Sequence, residues 1–369
     1  TNPATGERQF TGLMPDSQAR EIGRKQHKKI VEQFGLYDDK ALNAYVDDIG
    51  EELAKTTERG NVDYKFHILD SSIVNAFALP GGYIYLSRGL LSLANSEAEL
   101  ASVIAHEIAH ITGRHSAERY SHAVVSSLGT GLLSAAVDQP GLGKLANIGN
   151  QLYITSYSRD QEREADKLGI RYLARTGYAP GAMADFLRQL ERHSDLQAKL
   201  RNQSDKRGLG YFSTHPRTQE RVAKADKLAR QARAPAEPLV RRQAYLETVD
   251  GLVYGGSQRQ GFVRDNRFYH PELDFTFQLP DAFHIVNQPH QVAAFADNGA
   301  VVIFDIAKAK KEQPMMAYLR QAWLDGRSVQ NPEQLNVNGM PGATAQYDAQ
   351  VNGRAMRMRV VAVRRNADT

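Results

Sequence analysis

Residues 99–115, ELASVIAHEIAHITGRH, read as an apolar helix to about Gly113 that carries the histidines His106 and His110 with Glu107 between them. Ser96 precedes the run and Glu99 stands three residues later, the spacing of a capping box, so the helix is expected from Ser96 to about Gly113. His106 and His110 are four residues apart and share one helix face, as two adjacent corners of a zinc tetrahedron require. Glu107 is displaced by about 100° around the helix, within reach of a water that a metal would activate. A chain with this content of His and Glu produces an HExxH pattern by chance roughly 0.02 times. The competing reading is a helix with two satisfied histidines and a solvated glutamate.

Cysteine is absent, which removes disulfides, thiol nucleophiles, iron–sulfur clusters and thiolate zinc sites. A metal must therefore be held by His, Asp or Glu. His115 is one residue short of the third histidine of HExxHxxGxxH, where Ser116 stands. On a continuing helix it would point about 140° away from His110, so it reads as a helix-end or hydrogen-bonding residue. The stronger third ligand is Glu162 in YSRDQEREADKLG (157–169). Glu162 and Asp166 share a helix face, with Glu164 nearly opposite. The first carboxylate would bind zinc, and the second would accept the far ring N–H of a ligating histidine. Against this stands an exposed charged face with Arg163 and Lys167 as partners.

Four segments appear in a common order: NAFALPGGYIYLSRGLL (75–91), the HExxH helix, YSRDQEREADKLG, and FSTHPRTQER (212–221). Over about residues 15–235 the chain resembles the gluzincin metallopeptidase family of HtpX, BepA, LoiP and the CAAX prenyl protease. The resemblance implies His106, His110 and Glu162 as ligands of one zinc ion per chain, Glu107 as catalytic base and Asp166 as the supporting carboxylate. It also implies a mainly helical domain with a small sheet, whose edge strand at about Ile73–Leu79, through Asn75, Ala76 and Phe77, pairs with extended substrate. His215 in the His-Pro motif would then stabilise an oxyanion or occupy the open metal position and hold the enzyme latent. Arg221 reads either as a second cation near the metal or as a surface ion pair.

Working outward, helices are expected at about Asp16–Phe34 and Asp38–Lys55, with Leu42, Tyr45, Val46, Ile49 and Leu53 on one side of the second. Short strands follow around YKFHILD (64–70) and YIYLS (83–87), the latter after a Pro80-Gly81-Gly82 turn. Further helices are expected at about 159–176, 181–201, 240–252 and 315–325. The uncharged stretch Tyr120–Val137 is too diluted by Ser, Gly and Thr to span a membrane, and Val124–Val137 reads as a buried helix or a lid. Past Arg233–Pro238 short strand runs dominate, with hairpin turns at Asn298-Gly299 and Asn352-Gly353. With 369 residues and roughly 150 per domain, the expectation is α+β: a metallopeptidase domain over 1–250 and a smaller β-rich domain over 251–369. The strand-like run before Thr369 leaves room for the natural chain to continue.

A net charge of +4, evenly spread, gives no argument for nucleic acid as a partner. The opening TNPATG is in keeping with a trimmed leader, and the family resemblance implies a periplasmic, outer-membrane-anchored lipoprotein whose lipid anchor lies upstream. The expected activity is a zinc metalloendopeptidase acting on misassembled envelope proteins. Two rivals are an envelope chaperone or assembly factor with latent proteolysis, and a zinc hydrolase of non-peptide amides.

Overall fold

The computed structural model describes residues 1–134, 156–200, 211–216, 220–288, 291–296, 298–307, 313–324, 328–351 and 354–366. The Asn352-Gly353 turn and the Val124–Val137 stretch past Ser134 lie outside them. The class is α+β, and the chain divides into two compact units, Thr1–Asp281 and Ala282–Thr369.

The first unit begins with α1 (Asp16–Phe34) and α2 (Lys40–Lys55). Asp39 caps α2 by accepting from the Leu42 amide at 3.0 Å, and Leu42, Val46, Ile49 and Leu53 form its buried stripe. Next come β1 (Lys65–Leu69), β2 (Ala76–Leu79) and β3 (Tyr83–Ser87), ordered β1-β3-β2. β3 pairs parallel with β1 and antiparallel with β2, which leaves β2 at one edge. The turn between β2 and β3 needs its glycines. Gly81 and Gly82 have φ of 86° and 101°, and a Cβ on Gly82 would lie 2.4 Å from the Asp63 carbonyl oxygen. Strand alternation sends Phe77 and Tyr85 to the α1 side with Ile30, while Phe66, Ile68, Ile84 and Leu86 enter the main core.

After a short α3 (Arg88–Leu91), α4 (Glu97–Thr112) runs through the middle of the unit with every residue buried. A helix apolar all round belongs in a core, and Leu100, Val103, Ile104 and Ile108 each contribute about 1.5–3 kcal/mol by burial. Ser96 Oγ accepts from the Glu99 amide at 3.2 Å as expected, but the Glu99 carboxylate reaches the Asn95 amide at 2.8 Å instead of the cap residue. The full reciprocal box is at Ser158 and Gln161, which start α6 (Arg159–Thr176). Between them lies α5 (His115–Ser134), and after them α7 (Ala182–Leu200), α8 (Tyr211–Thr214), α9 (Arg221–Gln231) and α10 (Arg242–Thr248). A small antiparallel sheet of β4 (Phe262–Arg264), β5 (Arg267–His270) and β6 (Phe275–Gln278) ends the unit. Among the described residues no helix is long and apolar enough to cross a membrane.

The second unit holds two antiparallel three-stranded sheets, β7 (Phe283–Gln288), β8 (Gln291–Ala296) and β9 (Val301–Phe304), then β10 (Gln330–Val337), β11 (Met340–Val351) and β12 (Arg354–Val363). Gly299, with φ of 85°, lies in the β8–β9 hairpin as read from Asn298-Gly299. The hairpin between β10 and β11 turns on Asn338-Gly339, both left-handed, a signal of the same kind that the reading above passes over. The expected helix at 315–325 is α11 (Met315–Leu319) followed by a π-helical turn at Arg320–Leu324. Met315, Leu319 and Leu324 pack against Ala343, Ala345 and Tyr347 of β11.

Candidate metal centre

α4 stacks His106 above His110 with their Nε2 atoms 3.0 Å apart. Helix α6 crosses the same face at close range because Gly169 has no side chain; a Cβ there would lie 3.2 Å from the His106 amide nitrogen. Glu162 and Asp166, one turn apart, thus face the histidines. Glu162 lies 3.6 Å from His106 Nε2 through Oε2 and 3.4 Å from His110 Nε2 through Oε1. His215 follows α8 and brings Nδ1 to 2.9 Å from Glu162 Oε1 and 3.3 Å from His106 Nε2. All four side chains are buried, and one ligand atom from each lies within 4.8 Å of the others. A tetrahedral zinc with bonds of about 2.0–2.1 Å has ligand–ligand edges of about 3.3 Å, the scale of these separations.

The donor set suits a divalent cation. Burial pushes Glu162 upward, but His215, Arg221 and the hydrogen bonds from His110 and His215 outweigh it and hold the carboxyl well below its usual range. Burial drives His110 well below the usual histidine value, so its ring offers a neutral lone pair. Asp166, also buried, is held low by Arg221 and His106. Glu162 and Asp166, both held in the charged form, share the single guanidinium of Arg221, an arrangement with room for a further cation.

The residues behind the cluster are as ordered as those in it. His106 Nδ1 lies 2.9 Å from Asp166 Oδ1. Arg221 donates through Nε and Nη2 to Asp166 at 2.8 and 2.7 Å, and its Nη1 lies 2.8 Å from Glu162 Oε2. The surface reading of Arg221 is therefore corrected: the side chain is 3% exposed and clamps both carboxylates of α6. His115 lies outside the four-residue cluster, with its Nδ1 2.8 Å from His110 Nδ1. The sequence reading misses two aromatic rings. Tyr157 stacks on His110 at 3.6 Å between centroids, and Tyr211 stacks on His215 at 4.3 Å. Tyr157 opens the quoted YSRDQEREADKLG and Tyr211 immediately precedes FSTHPRTQER, which is the signal available for them. Burial pushes the Tyr157 hydroxyl up to about 12.

Glu107 is buried, and neither of its oxygens has a hydrogen-bond donor among the described residues. His215 Nε2 lies 3.4 Å from Oε1. Burial raises its pKa, with His215 and His106 acting against the shift. β2 borders the site along its open edge. The carbonyl of Ala76 lies 3.3 Å from His215 Nε2, and that of Ala78 accepts from the Tyr157 hydroxyl at 3.5 Å. The expected strand at Ile73–Leu79 is thus shorter at its start. Asn75 adjoins it and exchanges bonds with Ser87 at 2.9 and 3.0 Å, while Phe77 turns its ring onto Tyr85.

Comparison with known proteins adds an independent line. The model of peptidase family M48 matches residues 40–229. The beta-barrel assembly-enhancing protease of Yersinia pestis is 32% identical over 217 residues, covering 56% of this chain and 43% of that protein. Its namesake from Escherichia coli (strain K12) is 32% identical over 210 residues, covering 54% and 41%. The mitochondrial metalloendopeptidase OMA1 of Schizosaccharomyces pombe is 25% identical over 240 residues, covering 64% and 68%. The chain thus spans about two-fifths of the length of the two bacterial relatives.

Proposed function

This chain belongs to peptidase family M48, and from that premise we propose that it is a zinc metalloendopeptidase with one ion per chain, acting in the periplasm on misfolded or misassembled envelope proteins. The observation that carries the reading is the buried meeting of His106, His110, Glu162 and His215 beside the unpartnered carboxylate of Glu107. His106, His110 and Glu162 would hold the ion. Zinc bound there would supply a Lewis acid for the scissile carbonyl and lower the pKa of water. Glu107 takes the proton from the attacking water and passes it to the leaving nitrogen. Asp166 holds His106 through Nδ1, which keeps the Nε2 lone pair toward the ligand cluster. The bacterial relatives are named for beta-barrel assembly, and the reading of envelope substrates and a periplasmic location rests on the family resemblance.

Metal content measured together with casein cleavage tests this. Wild type should carry one zinc per chain and lose cleavage to a chelator, with zinc restoring it. Glu162→Ala removes a direct ligand, so its zinc affinity should fall by more than the roughly 10–100-fold typical of losing a supporting residue. Stoichiometric zinc retained by that variant would mean Glu162 is no ligand.

Substrate is read as adding to β2 as an extended strand. His215 and Tyr157 lie against the carbonyls of that edge, and His215 also stands at the fourth corner of the ligand cluster. His215 is therefore read as a gate, not an oxyanion donor. His215→Ala should keep its zinc and cleave a short peptide several-fold faster. A fall of about a hundredfold, the size of losing an oxyanion donor, would reverse that assignment.

A further inference from the structure

We propose that His115 and Glu164 form a second positioning relay behind the metal centre, which fixes the tautomer of His110 as Asp166 and Arg221 fix His106. The inference rests on the metal reading above and deepens it.

The relay arises from a break in the chain direction. α4 ends at Gly113, and Arg114 takes a left-handed φ of 55° before α5 begins at His115. A continuous helix would carry His115 away from His110; the break folds it back beneath. A Cβ on Gly113 would lie 2.6 Å from His115 Nε2, so the absence of a side chain makes room for the ring. His115 is fully buried, and its Nδ1 is 2.8 Å from His110 Nδ1. On its far side Nε2 lies 3.7 Å from Glu164 Oε2, and Glu164 in turn accepts from the Asn2 side chain. Tyr157 packs flat on His110 and edge-on to His115.

Where two imidazoles meet through their Nδ1 atoms, one nitrogen donates and the other accepts, and the surroundings decide which. If His115 donated, His110 would carry its own proton on Nε2, the nitrogen that faces His106 and Glu162. The carboxylate of Glu164, at an ion-pair distance of 3.7 Å and not a hydrogen bond, opposes that arrangement through its charge by favouring the proton of His115 on Nε2. His115 Nδ1 is then the acceptor, His110 holds its proton on Nδ1, and the His110 Nε2 lone pair is free for the metal. Glu164, on the far side of α6 from Glu162, thus reaches the site through an intermediary.

The test measures zinc affinity by chelator competition, together with nitrogen chemical shifts of the His110 ring and the thermal midpoint of the metal-free protein. His115→Phe keeps a ring but removes the acceptor, and zinc affinity should fall about 10–100-fold. His115→Asn places an amide oxygen near the former Nδ1 and should recover most of that loss. A purely structural role would lower the midpoint and leave zinc affinity unchanged, which would overturn the proposal. Because His115→Phe is a buried change that can prevent folding, wild type supplies a second measurement: the proton belongs on His110 Nδ1, and finding it on His115 Nδ1 would overturn the relay. Wild type that binds no zinc would sink the metal reading and this inference with it. Wild type that binds zinc beside a His115→Phe that binds equally well would sink the relay alone.

Discussion

Glu107→Gln should lower peptide hydrolysis by about a thousandfold, within the 10²–10⁴ range of a general acid–base, while zinc content stays at the wild-type level. The side chain is buried, and its oxygens lack hydrogen-bond donors among the described residues, so they are free to take a proton from water. Burial raises its pKa toward the operating pH, which suits a group that must both accept and release a proton. Glutamine matches its shape, cannot accept the proton, and costs less to bury than a carboxylate. The thermal midpoint should therefore not drop below wild type. A variant that kept a tenth of the activity would show that another group acts as base. The same protein separates protease from chaperone: if it still rescued envelope defects, binding and not cleavage would be the main activity.

Arg221→Met should destabilise the metal-free protein by about 3–5 kcal/mol, the cost of removing one partner from a buried charge network. The guanidinium forks onto Asp166 and touches Glu162, and methionine fills similar volume while leaving both carboxylates without their cation. Against a typical domain stability of about 5–15 kcal/mol, that loss is about a fifth or more. Lysine should rescue poorly, because a single ammonium cannot reproduce the planar fork. Arg163→Met is the control: its pair with Asp160 is solvent-exposed and should contribute under about 1 kcal/mol. Urea denaturation of the three variants beside wild type decides it. An Arg221→Met within 1 kcal/mol of wild type would mean that the two carboxylates are balanced by something else.

Arg221 also shows where sequence reading stops. It lies 55 residues from Asp166, and its neighbours Lys224 and Arg230 make the helix look like a solvated face. One local clue exists: a cation in the first turn of a helix opposes the dipole, so it is more readily explained by a buried anion than by surface chemistry. His115 fails to be legible for a different reason. The 140° estimate assumes a helix that continues, although the same sequence reading ends that helix near Gly113; the left-handed Arg114 makes the difference. By contrast, α1 and α6 follow from helical spacing, and i, i+4 arithmetic pairs His106 with His110 and Glu162 with Asp166, while the meeting of the two pairs is expected from the absence of cysteine and the family resemblance. Tyr157 reaches His110 from 47 residues away, which local periodicity does not encode, whereas Tyr211 stands four residues before His215, a helical neighbour that the sequence reading passes over.

The covered margin of β2 has a consequence for selectivity. If substrate adds to β2 as proposed, an incoming polypeptide would have to displace the ring of His215 and the hydroxyl of Tyr157, so its apparent affinity would be its intrinsic affinity reduced to the fraction of molecules already open. Each 1.4 kcal/mol of opening free energy weakens every candidate tenfold. A well-folded protein, with only a short loop to offer, falls below that threshold. A long unravelled segment recovers the deficit through successive main-chain bonds, so discrimination follows how much chain is loose, whatever its side chains.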